Sequence, residues 1–139
     1  MAKYELLLRT EFTASHQLRM HDGELEPLHS HDWRVEVFLE GEELDAAGLV
    51  ADFTVLQRDL TQITVDLRGR LLNESPAFTG RNPSTEVLAK YLHDRFAPMI
   101  PTNVRVTKIR VWETSDCAAA YIPDAAPNQQ FGPDARGVG

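Results

Sequence analysis

Hydrophobic and polar residues alternate along two stretches near the N-terminus, the pattern of β-strands that have one buried face. Residues 3–14 carry apolar side chains mostly at even positions, and residues 31–40 carry them at odd positions. The two buried faces would consist of Leu6, Leu8, Phe12 and Ala14, and of Trp33, Val35, Val37 and Leu39. Residues 17–27 between the strands have no such period, so they are predicted to form a loop.

A helical period replaces the alternation in the middle of the chain. Leu56, Leu60, Ile63 and Leu67 recur three or four residues apart, as on one face of a helix. Asp52 is suited to cap the N-terminus of this helix, and Gly69 is suited to end it. A second helix is predicted after a cap at Asn82 or Ser84, closing at Pro98. Its buried side would consist of Leu88, Tyr91, Leu92 and Phe96. Residues 71–80 are predicted to be a loop.

Strand patterns return after the second helix, at residues 104–112 and 117–122. The apolar positions change parity between Val106 and Ile109, which indicates a β-bulge. The order strand-strand-helix-helix-strand-strand predicts an α+β fold, with a four-stranded antiparallel sheet and two helices on one face. Residues 1–123 would form a single domain, and the Pro- and Gly-containing residues 124–139 a flexible tail.

Composition narrows the class of protein. The chain has 139 residues and a formal net charge of −7, which argues against a nucleic-acid-binding surface. No apolar run approaches the roughly 20 residues of a membrane span, and no signal-peptide pattern is present, so a cytoplasmic protein is expected. Cys117 is the only cysteine, which excludes an intramolecular disulfide. We expect Cys117 to be a small buried hydrophobic residue.

Three histidines continue the apolar faces of the first two strands. His29 and His31 share the parity of Trp33, and His16 shares the parity of Ala14. Neutral imidazole is a good zinc ligand, and three protein nitrogens with an open fourth position are typical of a catalytic zinc site. The alternative is a set of hydrogen-bonded histidines at the rim of the core.

Five short motifs resemble those of the 6-pyruvoyl-tetrahydropterin synthase/6-carboxytetrahydropterin synthase family, in the same order and over residues 4 to about 122. They are Phe12-Thr-Ala-Ser-His16, Leu28-His-Ser-His-Asp-Trp33, Gly48-Leu-Val-Ala-Asp-Phe53, Pro83-Ser-Thr-Glu-Val-Leu-Ala89 and Val111-Trp-Glu-Thr114. The resemblance implies the tunnelling fold and a homohexamer built from two trimers, in which the sheets close into barrels.

The resemblance also implies roles for individual residues. The family's zinc ligands correspond to His16, His29 and His31, which makes Zn²⁺ the expected cofactor. Its pterin-anchoring glutamate corresponds to Glu113, whose parity continues the face of Val111. Thr114 and Thr85 are the remaining candidates for pterin contacts. The alternatives are a solvent-facing Glu113 and a helix start that serves only for capping.

The sequence departs from the family at the catalytic groups. Leu25 stands where the carboxytetrahydropterin synthases have their cysteine, and Arg68 and Gly69 stand in place of an Asp-His dyad. Glu26 lies three residues before His29, a spacing that resembles a branch of the family that forms 6-hydroxymethyl-dihydropterin. Glu26 is therefore the candidate general base. Alternatively, Glu26 and Glu24 are solvated loop carboxylates.

These observations predict a zinc-dependent pterin lyase acting on 7,8-dihydroneopterin triphosphate. One alternative is the hydroxymethyl-dihydropterin-forming reaction with Glu26 as the base. Another is a pterin-binding protein that has lost turnover, and a third is a member that uses His21 or Arg68 for a different proton transfer. Neither a nucleic acid nor a membrane is expected as a partner.

Overall fold

A computed structural model describes residues 2–125 as one four-stranded antiparallel sheet covered by two helices. The strands are β1 (Tyr4–His16), β2 (His29–Gly41), β3 (Arg105–Trp112) and β4 (Ala118–Tyr121), in the order β1-β2-β3-β4. The helices are α1 (Phe53–Val65) and α2 (Thr85–Phe96). The predicted fold class and element order are confirmed. Most of the predicted flexible tail, from residue 126 on, lies outside the described residues.

The first two strands reach further toward the histidines than the hydrophobic pattern indicates. β1 ends at His16 and β2 begins at His29, two residues beyond the predicted ends of both strands. The reason is that His16 pairs directly with His29, and Ala14 with His31, in the β1–β2 ladder. Backbone pairing continues where the alternation of apolar residues has already stopped.

Both helices begin at the predicted side-chain caps. The Asp52 carboxylate accepts a hydrogen bond from the Thr54 N–H at 2.8 Å, and α1 buries Leu56, Leu60 and Ile63. Ser84, rather than Asn82, caps α2: its Oγ accepts from the Val87 N–H at 3.1 Å.

Residues 71–80 are more ordered than the predicted loop. They contain two single 3₁₀ turns, Leu72–Glu74 and Pro76–Phe78. Leu72 and Phe78 are fully buried in the core. Turns this short carry too few residues to show a period, so the sequence pattern does not reveal them.

The bulge predicted in β3 is present, and the prediction for Cys117 is wrong. Lys108 lies opposite Phe38 while Val106 lies opposite Leu39, which leaves Thr107 as the extra residue. β4 begins at Ala118, so Cys117 lies in the turn before the strand, where it is exposed. The prediction placed Cys117 on the buried face of a strand, but the strand begins one residue later, so that face does not include Cys117.

The helices cover one face of the sheet, and the other face carries several charged residues. The core lies between the helices and the sheet, with Trp33, Leu60 and Leu88 among its fully buried side chains. On the opposite face, Glu36 is paired with Arg9 and Arg110. Within residues 2–125, no helix has the length and apolar character needed to cross a membrane.

Candidate metal centre

The β1–β2 register brings three imidazoles together on the core side of the sheet. His16 and His29 are directly opposite each other, and His31 follows His29 on the same face. Directly opposed residues in an antiparallel pair have neighbouring side chains. The ring centroids are 4.6 Å apart for His16 and His29, and 5.2 Å apart for His16 and His31. The strand pairing alone therefore gathers the cluster.

Backbone carbonyls fix the tautomers of two of the rings. His16 Nδ1 lies 2.8 Å from the Pro83 carbonyl oxygen, and His29 Nδ1 lies 2.8 Å from that of Pro27. A carbonyl oxygen can only accept, so each Nδ1 carries the proton and each Nε2 of a neutral ring presents a lone pair. These two Nε2 atoms are only 3.0 Å apart. Two lone pairs this close repel each other unless a metal ion or a proton lies between them, so the pair is suited to hold a cation.

His31 contributes a third nitrogen without a hydrogen-bond partner. Among the described residues, its Nε2 is buried and makes no hydrogen bond, although it lies 3.2 Å from Glu113 Oε2. Burial lowers the pKa of His31, and the neighbouring His16 and His29 lower it further against the opposing effect of Glu113. The neutral ring, the form that binds metal ions, is therefore favoured.

Glu113 completes the group. Its Oε2 lies 3.2 Å from both His16 Nε2 and His31 Nε2, and the four ligand atoms all lie within 4.8 Å of one another. Zinc bonds of about 2.0–2.1 Å in a tetrahedron put neighbouring ligand atoms about 3.3 Å apart. The separations of 3.0 Å between the His16 and His29 Nε2 atoms and of 3.2 Å from Glu113 to His16 and His31 are therefore compatible with a zinc-sized ion. Glu113 faces the histidines, so it is not the solvent-facing strand end of the alternative interpretation.

A buried tryptophan supports the cluster from the core. Trp33 is fully buried, and its ring makes edge-on contacts with His16 and His31 at centroid distances of 5.0 and 5.1 Å. Its Nε1–H donates to the Ala14 carbonyl at 3.1 Å, which fixes the indole ring. His16 and His31 thus pack against an indole ring whose orientation is fixed.

The candidate base Glu26 lies next to the cluster. Its Oε1 is 3.8 Å from His29 Nε2 and accepts a hydrogen bond from the Leu18 N–H at 3.0 Å. Its side chain is 26% exposed, whereas Glu24 is an exposed loop residue. Of the two loop carboxylates, Glu26 is the one that lies beside the histidine cluster.

The two candidate threonines have local roles in the structure. Thr85 is buried as the first residue of α2, two residues after the carbonyl that holds His16. The Thr114 Oγ1 accepts from the backbone N–H groups of Asp116 and Cys117 at 3.2 and 3.1 Å. Thr114 therefore shapes the turn that follows Glu113.

The replaced family positions provide no proton-transfer group. Leu25 is exposed, and Gly69 adopts a positive φ of 73° and donates its N–H to the Thr13 carbonyl. The guanidinium of Arg68 donates to the Glu11 carbonyl at 3.1 Å. His21 is exposed in the loop between β1 and β2.

The sequence pattern did not predict the hydrogen bonds that other segments of the chain make to His16 and to the residues after it. They are made by the Pro83 carbonyl, to His16, and by the side chains of Asn73 and Asn82, which bind the backbone of Gln17 and Arg19. These contacts join segments 56 to 67 residues apart. The only sequence feature that could have indicated these contacts is an asparagine outside the two predicted helices and the strands, and asparagine is common in any loop.

Two curated relatives are similar to most of this chain. Dihydroneopterin monophosphate aldolase from Pyrococcus furiosus is 30% identical over 114 residues, covering 82% of this chain and 93% of the relative. 6-Carboxy-5,6,7,8-tetrahydropterin synthase from Synechocystis is 31% identical over 117 residues, covering 80% of this chain and 87% of the relative.

Solved structures share the fold. The 6-pyruvoyl tetrahydropterin synthase of Caenorhabditis elegans superposes with a TM-score of 0.77 at 19% identity, covering 89% of this chain and 98% of that one. The enzyme from Plasmodium vivax, solved with a catalytic glutamate changed to alanine, gives 0.74 at 17% identity, covering 90% of this chain and all of that one. The 6-pyruvoyl tetrahydropterin synthase family profile matches residues 5–124. The chain therefore belongs to the 6-pyruvoyl tetrahydropterin synthase family.

Proposed function

We propose that the protein is a zinc-dependent pterin lyase of the aldolase type, which cleaves the side chain of a 7,8-dihydroneopterin phosphate. The product would be 6-hydroxymethyl-7,8-dihydropterin, together with the phosphorylated two-carbon aldehyde. The observation that carries this proposal is the Glu26 carboxylate, 3.8 Å from the Nε2 of His29. A carboxylate at this place supplies a base where the family's cysteine and Asp-His dyad are absent.

His16, His29 and His31 would hold the metal ion through their Nε2 atoms. The lone pairs of His16 and His29 and the buried nitrogen of His31 fit this role. A bound divalent ion supplies a Lewis acid that lowers the pKa of hydroxyl groups at the site. The Pro83 and Pro27 carbonyls keep two of the rings in the tautomer that leaves Nε2 free.

Glu26 would accept the proton of the C2′ hydroxyl. The C1′–C2′ bond then breaks, C2′ becomes the aldehyde carbon, and the electron pair moves from C1′ into the C6=N5 imine of the ring. The protonated Glu26 returns its proton to C1′, which completes the hydroxymethyl group. Proton and electron pair are thus balanced without a further reactant. The Leu18 N–H holds the carboxylate in place for both transfers.

Glu113 would bind the pterin ring. A carboxylate can accept from both the 2-amino group and the neighbouring ring N–H, which is a charge-assisted bidentate arrangement. In the structure its Oε2 lies against His16 and His31. We infer that substrate draws this carboxylate away from the histidines and onto the pterin ring. Thr85 and Thr114 would support the ring-binding segment.

The relatives favour cleavage of a phosphorylated neopterin. The Pyrococcus furiosus protein is an aldolase named for the monophosphate, and the Plasmodium vivax enzyme has a catalytic glutamate. The first name agrees with cleavage of a phosphorylated neopterin, and the second agrees with a catalytic glutamate in this chain. The triphosphate predicted from the sequence and the monophosphate are therefore both candidate substrates.

The test is product analysis with zinc-loaded protein. Dihydroneopterin triphosphate and monophosphate are each incubated with wild type and E26Q, and the products are identified by mass spectrometry. We expect hydroxymethyl-dihydropterin from wild type and a loss of about 10²–10⁴-fold in kcat for E26Q. E24Q is the matched control and should keep its activity. A pyruvoyl or carboxy product, or full turnover by E26Q, would contradict the proposed reaction.

A binding protein without turnover is the second candidate. It is favoured by the residues at the positions of the family's dyad: the Arg68 guanidinium donates to the Glu11 carbonyl, and Gly69 has no side chain that could transfer a proton. In that case both neopterin phosphates would bind to zinc-loaded protein, as seen by fluorescence titration, without forming any product.

We also propose that the protein assembles as a homohexamer of two trimers in the cytoplasm. β1 and β4 are the two edges of the described sheet, and β1 is 13 residues long. A long unpaired edge invites pairing with another chain. Pairing of the β1 edge of one protomer with the β4 edge of the next would satisfy the backbone groups of both edge strands.

A further inference from the structure

Three consecutive residues after β1 leave the sheet with their backbone groups fully hydrogen-bonded. At the first, the Gln17 N–H donates to Asn73 Oδ1 at 3.0 Å, and Asn73 Nδ2 donates to the Gln17 carbonyl at 2.7 Å. At the third, the Arg19 N–H donates to Asn82 Oδ1 at 2.8 Å, and Asn82 Nδ2 donates to the Arg19 carbonyl at 2.8 Å. Each asparagine amide thus pairs with the backbone as a second strand would.

The residue between them holds the candidate base. The Leu18 N–H donates to Glu26 Oε1 at 3.0 Å, and the Glu26 N–H donates to the Leu18 carbonyl at 2.9 Å. The same Oε1 lies 3.8 Å from His29 Nε2. The direction of the Leu18 N–H therefore decides where the carboxylate stands relative to the metal centre.

We propose that Asn73 and Asn82 are positioning residues for the reaction, acting through the Leu18 N–H on the Glu26 carboxylate. This inference rests on the role proposed above for Glu26. Two contacts on each side of Leu18 remove the freedom of its peptide groups to rotate, so its N–H has one direction. Small errors in the placement of a catalytic group are costly, since a displacement of about 1 Å can reduce the rate about 100-fold.

The two asparagines come from different parts of the fold. Asn73 belongs to the 3₁₀ turn Leu72–Glu74 after α1, and Asn82 lies two residues before the Ser84 cap of α2. Asn82 also directly precedes Pro83, whose carbonyl holds His16. The entry to α2 thus carries a contact to the metal-binding ring and a contact to the segment that directs the base.

Asn103 offers a matched control. Its Nδ2 also donates to a backbone carbonyl, that of Val50, at 3.1 Å, and it lies just before β3, outside this group of contacts. A loss of stability caused by any missing asparagine-to-backbone hydrogen bond should occur in N103A as well. A loss of base positioning should occur only in N73A and N82A.

The experiment combines a double-mutant cycle with hydrogen exchange on the zinc-loaded full chain. N73A, N82A and N103A are made alone and together with E26Q, and kcat and KM are measured on both neopterin phosphates. We expect kcat of N73A and N82A to fall about 10–100-fold, with zinc content and KM nearly unchanged. N103A should stay near wild type. N82D, which keeps the oxygen facing the Arg19 N–H, should recover part of the loss and replaces N82A if that variant does not fold.

The cycle distinguishes positioning from general stability. If the asparagines act through Glu26, their loss costs almost nothing more in the E26Q background. Equal losses in both backgrounds, or unchanged kcat in N73A and N82A, would overturn the inference. Full turnover by E26Q alone would instead contradict the proposed function. Hydrogen exchange over residues 17–26 then decides whether the asparagines hold the segment: faster exchange in N73A and N82A supports this, and unchanged exchange overturns it.

Discussion

At the scale of single residues, the candidate metal centre depends on which nitrogen of each histidine carries a proton. The carbonyls of Pro83 and Pro27 hold the protons of His16 and His29 on Nδ1, so that the Nε2 atoms point inward. Glu113 approaches the Nε2 atoms of His16 and His31 and is also the proposed anchor for the pterin ring. The two roles of Glu113 lead to different expectations for its variants.

We predict that E113Q binds zinc but binds substrate poorly. The three histidines suffice for the metal, so zinc content after dialysis should remain close to one ion per chain. Loss of a charge-assisted hydrogen bond, worth about 1.5–3 kcal/mol, should raise KM roughly 10–100-fold. The measurements are elemental analysis and steady-state kinetics.

Two further variants serve as controls for E113Q, one expected to lose zinc and one expected to behave as wild type. H31A removes one of the three imidazoles and should lose the zinc itself. D116N, in the exposed turn after Glu113, should leave both the zinc content and KM unchanged. Loss of zinc in E113Q to the same extent as in H31A would show that Glu113 is primarily a metal ligand.

Sequence reasoning located the residues whose position depends on a strand face. The parity of His16, His29 and His31 placed them on the core side, and the parity of Glu113 placed it there as well. The pattern did not predict the contacts of Asn73, Asn82 or the Pro83 carbonyl. These contacts join segments that are far apart in the sequence, and the alternation of apolar residues describes only one segment at a time. The prediction that Cys117 is buried was wrong for a related reason. Alternation assigns a residue to a buried face only within a strand, and Cys117 lies before the first residue of β4.

At the scale of elements, the sheet has a charged face that is held by its own ion pairs. Glu36 in β2 accepts from Trp112 Nε1 at 3.0 Å and from Arg110 at 3.2 Å, both on β3. Burial raises the pKa of Glu36, but these hydrogen bonds and the charges of Arg110 and Arg9 outweigh it and hold the pKa below its ordinary value of 4.5. The ionised carboxylate therefore links the two strands.

We predict that this contribution depends on pH in a defined direction. A carboxylate whose pKa is lower in the folded state stabilises the fold above the unfolded-state pKa, and the effect is lost as the pH falls through the folded-state pKa. E36Q should lower the free energy of unfolding by about 1–2 kcal/mol at pH 7. The difference from wild type should shrink below about pH 4.

Urea denaturation at pH 7 and at acidic pH measures both quantities. E43Q is the control, since Glu43 is exposed in the loop after β2. A deficit in E36Q that stays constant down to acidic pH would contradict a role for the ionised carboxylate.

At the scale of the whole molecule, the outer surface carries an apolar groove between β1 and α1. Leu7, Phe53 and Val65 line it and are 40%, 52% and 53% exposed. Contiguous exposed apolar surface of this kind marks interaction sites. The groove lies beside the long β1 edge, where the proposed hexamer would bring a neighbouring chain.

We predict that the protein in solution has six times the 15.6 kDa mass of one chain, as measured by light scattering. V65R should give a smaller species, because it places a charge in the groove. V55R is the matched control: Val55 is an exposed α1 valine, at 39%, that does not line the groove. A monomer in the wild-type protein, or equal effects of both variants, would contradict the proposed assembly.

The pairing of His16 with His29 has a further consequence for the protein's lifetime. These residues form the last rung of the β1–β2 ladder, and the chain that carries Glu26 runs between them. An ion bound by both rings would hold the loop end of this ladder together, and its removal would allow that end to fray. Chelation should therefore expose residues 17–28 to proteases before the rest of the chain, so that starvation for the metal ion would mark idle copies for degradation.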